Sequence, residues 1–246
     1  MPGVERGQVE RAMLLADRVS INLEAPNAAR LERLAPGKGF SSELLAPLQW
    51  TRSIRESAGR PLASGATQFV VGAAGESDVE LLSTTTALYR HAGLRRVFFS
   101  AFDPLPATPL EGLPPESPLR EHRLDQPSYL LRDYGFDLED LPFDPVGRLP
   151  LDRDPKRAYA DRALTHAPID VDRADPEALR RVPGIGPRAA ERIVAARRVR
   201  HLRHLEQLRR LGIVAERAAP FILLDGRRPL LQKSLFPNFV DRAVGV

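Results

Sequence analysis

The stretch Arg180-Arg181-Val182-Pro183-Gly184-Ile185-Gly186-Pro187-Arg188 constrains this chain more than any other. Two Gly flank one apolar residue, and Pro stands on both sides. Glycine admits positive φ and lets another backbone approach closely. Upstream, Asp175-Pro176-Glu177 has the form of a helix start: an N-cap, Pro at the first helical position, then an acid near the positive helix end. Downstream, residues 187–199 put Ala190, Ile193, Val194 and Arg197 on one helical face. The stretch is therefore predicted to be a tight hairpin between two helices. Its outward N–H groups, at the positive end of the second helix, make an anion seat. Gly184 and Gly186 form that seat, Ile185 plugs the gap between the helices, and Arg188, Arg192 and Arg181 flank it. A helix over 203–211, then Gly212-Ile213-Val214, then a helix to about 219, reads as a weaker second copy with Gly212 in the place of Gly184.

Charge follows the same segment. Residues 176–217 hold eleven Arg against four Glu, a net of +7 in a chain whose total is +4, so the remainder is −3. Basic charge concentrated in one segment is how a nucleic-acid footprint appears in sequence. Arg can grip phosphate bidentately, although a codon bias toward Arg accounts equally well for there being 33 Arg and 3 Lys. The chain has no Cys, which excludes disulfides, cysteine nucleophiles and cysteine-ligated metals or clusters within it. No apolar run approaches the ~18 residues of a membrane span, and residues 1–7 lack the apolar core of a signal peptide. A cytoplasmic protein with no membrane partner is expected. The five His are scattered. His201-x-x-His204 places two imidazoles on one helix face with no further ligand, so no metal site is expected. Neither a phosphate-binding loop nor a nucleophile elbow is present.

The first half alternates strands and helices. A short helix over 8–17 precedes Val19-Ser20-Ile21-Asn22-Leu23-Glu24, an apolar/polar alternation that predicts a strand with Ser20, Asn22 and Glu24 on one face. Helices are predicted at 28–35, 41–58 and 78–92, the last opened by a Ser77-x-x-Glu80 capping box. Strands are predicted at 67–71 and 96–102. This β-α-β-α-β order implies parallel strands of a doubly wound sheet or a barrel. Ligands bind at the strand C-terminal ends in both, here Asn22/Glu24, Gly72–Glu76 and Ser100–Asp103. The proline-rich stretch 104–128 reads as a linker or an ordered wrap, with helices near 128–134 and 156–166. Glu121-His122-Arg123 reads as a loop, either a plain surface turn or, by analogy with the family resemblance given below, an active-site segment. The domain boundaries expected are 1–111, a connector at 112–170, a hairpin domain at 171–226 and a tail at 227–246, whose Leu230, Leu231, Phe236 and Phe239 are able to pack back on a domain.

Val-Pro-Gly-Ile-Gly-Pro-x-x-Ala-x-x-Ile resembles the helix-hairpin-helix of DNA-repair and DNA-uptake proteins. The strand ends Ser20–Pro26, Val70–Asp78 and Phe99–Pro104, followed by Glu121–Leu124, Asp154-Pro155-Lys156 and the hairpin, resemble the later part of the radical S-adenosylmethionine DNA modification/repair proteins that end in such a hairpin. The resemblance implies a partial α/β barrel of three parallel βα units, the later half of a radical-SAM-type barrel, followed by an all-α tandem helix-hairpin-helix domain. It implies adenosylmethionine contacts at Asn22, Glu24, Gly72, Gly75, Glu76 and Ser100, and non-specific contact with the DNA backbone. That enzyme class holds an iron–sulfur cluster on three Cys, which this chain lacks, so the chain alone is not expected to carry a cluster or perform that chemistry. A separate N-terminal half-barrel chain or self-association would supply what is missing. The alternative is a catalytically silent DNA-binding adaptor of the competence or repair type.

Overall fold

The structure, a computed structural model, describes residues 3–230. The chain divides into two compact units, Met1–Tyr159 and Ala160–Val246. The first runs α1 (Arg6–Leu15), β1 (Arg18–Ser20), α2 (Ala28–Leu34), a π-helical turn (Phe40–Leu45) leading into α3 (Ala46–Ser57), β2 (Ser64–Val71), α4 (Asp78–Ala87) with a second π-helical turn (Leu88–Ala92), β3 (Arg96–Ala101) and α5 (Pro118–Asp133). Helix α6 (Pro155–Ala163) follows. The strands lie in the order β1-β2-β3, all parallel, with Arg18 opposite Ser64 and Ala66 opposite Arg96. Three parallel βα units are thus present. Closing them into a barrel takes further strands, and the described residues of this unit supply none.

The strand expected over 19–24 is corrected to a shorter one. Regular pairing stops at Ser20, and a single bridge resumes at Glu24 opposite Phe69. The offset to the partner strand changes from 46 (Ser20 to Ala66) to 45 (Glu24 to Phe69), so one extra residue bulges out of the ladder. Within the bulge Leu23 N–H donates to the Thr67 hydroxyl at 3.0 Å, and Glu24 takes φ 64. Burial still alternates: Ile21 and Leu23 are buried, Asn22 and Glu24 half-buried. A second correction concerns α5. The sequence predicts a helix only from 128, because prolines break the pattern before it. Ser117 accepts from Leu119 N–H, Pro118 sits in the first turn where its missing N–H costs nothing, and the helix continues through Pro127. Glu121-His122-Arg123 is consequently helical, not a loop.

Helix α4 shows why its sequence reads so clearly. Ser77 accepts from Glu80 N–H while the Glu80 carboxylate takes Ser77 N–H at 2.8 Å, and Leu81, Leu82, Thr85 and Thr86 form the buried face. The unit packs around Leu23, Leu31, Leu48, Phe69, Leu81, Leu82 and Leu124, all fully buried. Helix α1 sets Val9 and Met13 against Ile54 and Ala63, with Val19 and Trp50 alongside.

The second unit contains β4 (Ile169–Asp170), α7 (Pro176–Arg181), α8 (Pro187–Arg197), α9 (Leu205–Arg210), α10 (Ala215–Ala218), a 3-10 turn (Ala219–Phe221) and β5 (Ile222–Leu223). Strands β4 and β5 pair in parallel, Ile169 opposite Ile222. Val171, Leu179, Val182, Ile185, Ile193, Leu208, Ala215 and Ile222 are fully buried and form its core. Leu230 is exposed, and Leu231, Phe236 and Phe239 lie outside the described residues.

Candidate nucleic-acid interface

The first hairpin is built by its sequence in three steps. The Asp175 carboxylate caps α7 by accepting from Ala178 N–H at 2.7 Å. Ile185 N–H then donates to the Val182 carbonyl at 3.1 Å, closing a β-turn with Pro183 and Gly184 at its centre. Gly184 takes φ 84, the type II pattern that favours Gly after Pro. Gly186 follows as the N-cap of α8 with φ −97, so it is not a positive-φ residue as the sequence suggested. Its lack of a side chain matters differently. No side chain caps α8, and Pro187 at the first helical position offers no N–H. The remaining N–H groups of the first turn, at Arg188 and Ala189, head an eleven-residue helix with no acid in that turn, an arrangement that favours an anion.

Ile185 is fully buried, as a plug between the helices should be. Arg188 is exposed beside the seat. Arg181 is mostly buried and lies 3.7 Å from Glu177. Arg192 is placed elsewhere: its guanidinium stands 3.3 Å from where a Gly212 Cβ would be, on the second hairpin. The first hairpin in turn presses on α10. A Cβ on Gly184 would sit 2.6 Å from the Val214 carbonyl oxygen and 3.2 Å from Arg217 Cβ. Arg217 is therefore a neighbour of the seat that reading the motif alone did not single out. The signal for it was the second copy, whose last helix had to pack on the first hairpin.

The second hairpin reaches the same place by different chemistry. Gly212 takes φ 71, its N–H donates to the Arg209 carbonyl and Ile213 N–H donates to the Leu208 carbonyl, the bond pair of a Schellman turn. Ile213 is buried as Ile185 is. Val214 stands where Gly186 does and is half exposed. Glu216 lies in the first turn of α10, and its carboxylate meets Arg209 at 2.7 and 2.9 Å. Its own N–H and Arg209 hold the Glu216 carboxyl below the usual carboxylate range.

Residues 165–223 match the family described as the helix-hairpin-helix motif. The match covers about a quarter of the 246-residue chain, and it points to nucleic-acid binding. No curated protein and no solved structure matches the chain.

The residues expected to contact adenosylmethionine fall into separate groups. The Ser20 hydroxyl donates to Asn22 Oδ1 at 2.9 Å, which keeps those two on one face, and Ser100 lies opposite Val70 on β3. In the turn after β2, Glu76 is fully buried and accepts from Gly72 N–H at 2.5 Å and Ala74 N–H at 3.2 Å. Gly72, at φ 104, is covered by Glu116, whose Cβ and Oε2 would each be 2.7 Å from an added Cβ. Gly75, at φ 69, faces the Arg30 and Arg33 guanidinium groups. Beneath the turn, Arg120 is 3 % exposed and donates to Asp78 at 2.8 Å, Glu116 at 2.5 Å and the Glu76 carbonyl at 2.9 Å. Each carboxylate oxygen of Glu76 thus accepts a backbone N–H of the turn itself, which fixes the side chain in the buried interior of the turn. Among the described residues no cluster of His, Asp or Glu is arranged to hold a metal, and no helix is long and apolar enough to cross a membrane.

Proposed function

We propose that the second unit is a DNA-binding module that holds backbone phosphate at the N-terminus of α8, with Arg188 as the adjoining cation. The observation that carries this reading is the uncapped α8 start: a type II turn delivers Gly186, with no side chain, to the N-cap of a helix whose first turn holds no acid. Contacts of this kind fix position on nucleic acid without reading bases. Binding should therefore be independent of sequence and fall steeply with salt.

Gly186→Asp tests the reading because it separates stability from binding. A carboxylate at the N-cap would take the free N–H groups, leaving stability equal or a few tenths of a kcal/mol higher, while excluding phosphate. The expected outcome in a fluorescence anisotropy titration is lost duplex binding with an undiminished melting temperature. Retained affinity would refute the phosphate seat.

A second reading concerns the first unit. Three parallel strands in sequential order, β1-β2-β3, are what one arc of a barrel contains, and this favours the resemblance to the later half of a radical S-adenosylmethionine barrel. On that reading Asn22, Glu24 and Ser100 are the groups left to meet adenosylmethionine, and this chain would contribute DNA binding to a chemistry completed by another half-barrel. Isothermal titration with adenosylmethionine is the check. Heat that disappears in Asn22→Ala supports it, and no heat with the chain as it stands counts against it.

A further inference from the structure

We infer that the two hairpins are unequal toward DNA: the first takes a backbone phosphate, while the second holds its Arg209 guanidinium on Glu216 and Glu206, so the module grips one strand. This deepens the reading of the α8 start as a phosphate seat and depends on it.

The inequality is written into matching positions. Gly186 leaves the start of α8 open, whereas its counterpart Val214 places an exposed apolar side chain at the start of α10. The first turn of α8 has no acid, but that of α10 carries Glu216. Arg188 is exposed beside the first seat. Arg209, beside the second, is flanked on both sides: by Glu216 at 2.7 Å and by Glu206 at 3.1 Å. Arg210 also lies 3.8 Å from Glu206. Two carboxylates therefore hold the Arg209 guanidinium at the second hairpin, and the remaining guanidinium there, that of Arg192 beside Gly212, is brought by α8. Counted from Gly212 as Arg188 is from Gly184, Glu216 stands where the first hairpin has Arg188, so a carboxylate replaces a guanidinium there and its charge repels a strand.

The consequence is a substrate preference. A module with two equal hairpins would gain from a second strand, but one with a single working hairpin would not. The number of phosphates neutralised, obtained from the salt dependence of affinity, should then be the same on single-stranded and duplex DNA once their different slopes per phosphate, about 0.7 and 0.9, are allowed for.

The experiment uses the full chain and a labelled oligonucleotide, single-stranded or as a duplex, titrated by anisotropy across a salt series. Glu216→Gln is expected to raise duplex affinity about two- to fivefold, the scale of one exposed charge pair, and to add about one phosphate to the duplex count. Arg209→Gln alone should weaken binding far less than Arg188→Gln, because it removes a guanidinium already held by two carboxylates, and the double variant should lose the gain, since the freed guanidinium is its source. Circular dichroism confirms that each variant is folded. The inference is overturned if folded Glu216→Gln binds as the wild type does, or if Arg209→Gln alone weakens binding as much as Arg188→Gln. Wild-type protein that binds neither oligonucleotide overturns the phosphate seat itself. Binding that Gly186→Asp abolishes but Glu216→Gln leaves unaltered overturns only the inequality.

Discussion

Replacing Gly184 by Ala should damage the second unit far more than the same change at Gly212, although both residues take positive φ. At Gly184 two costs combine. An L-residue at φ 84 is strained by about 1–2 kcal/mol. The new Cβ would also lie 2.6 Å from the Val214 carbonyl oxygen, a backbone atom that moves only if α10 moves. Overpacking of that kind typically costs about 1–3 kcal/mol, so the sum is about 2–5 kcal/mol. At Gly212 the φ of 71 carries the same strain, but the nearest atom is the far end of Arg192 at 3.3 Å, which can swing aside. The expected cost there is about 1–2 kcal/mol. For a unit of this size, 1 kcal/mol shifts the melting temperature by roughly 4–8 °C. Differential scanning calorimetry of the full chain should therefore show the transition of the second unit lowered by more than about 10 °C in Gly184→Ala and by clearly less in Gly212→Ala. Equal shifts, or a Gly184→Ala loss below about 1 kcal/mol, would refute the interlocking of the two hairpins.

Two further outcomes concern the first unit. Arg120→Met removes the cation from Asp78 and Glu116 in a site where Arg120 and Asp78 are almost fully buried. Leaving buried charge uncompensated costs about 3–5 kcal/mol, so urea denaturation should show a large loss, with Arg120→Lys intermediate because an ammonium cannot reproduce the fork. The second outcome is acid sensitivity. The bidentate Arg30 contact at 2.9 and 3.0 Å, with help from Ser77, holds the Glu80 carboxyl at about 2, below its ordinary 4.5. Because the folded pKa is depressed, this stabilisation is present above pH 4.5 and disappears as pH falls toward 2. Glu80 is 30 % exposed, so screening reduces the contribution to about 1 kcal/mol. Thermal melts of Glu80→Gln should lie below those of the wild type at neutral pH and approach them in acid. A gap that persists undiminished in acid would refute the assignment.

The sequence showed the local devices and hid those made between distant segments. The Ser77–Glu80 capping box and the Asp175 cap are determined by neighbours in sequence, and both form as expected. The buried stripe of α8, from Ala190 to Ile193, follows from periodicity for the same reason. The bulge between Ser20 and Glu24 was not legible, because an alternating pattern cannot reveal that Thr67, 44 residues away, supplies a hydroxyl to Leu23 N–H. The start of α5 was hidden by prolines that mark a break in most contexts but here occupy a first turn and one interior position. At the candidate site, Gly184, Ile185 and Gly186 were legible as a hairpin. The placement of Arg192 against Gly212, and of Arg217 beside Gly184, was not, since it depends on how one hairpin packs against the other.

The short β4–β5 pair gives the second unit a mechanical property. Ile169 and Ile222 pair in parallel near the two ends of the matched segment, and Val171 N–H donates to the Leu223 carbonyl at 3.0 Å. Tension applied through residue 169 toward the N-terminus and through residue 223 toward the C-terminus would pull the two strands along their own axes in opposite directions. The ladder would then be loaded in shear, with its bonds sharing the force instead of yielding one after another as in peeling. A unit tugged through the chain on either side would be clamped where the load enters.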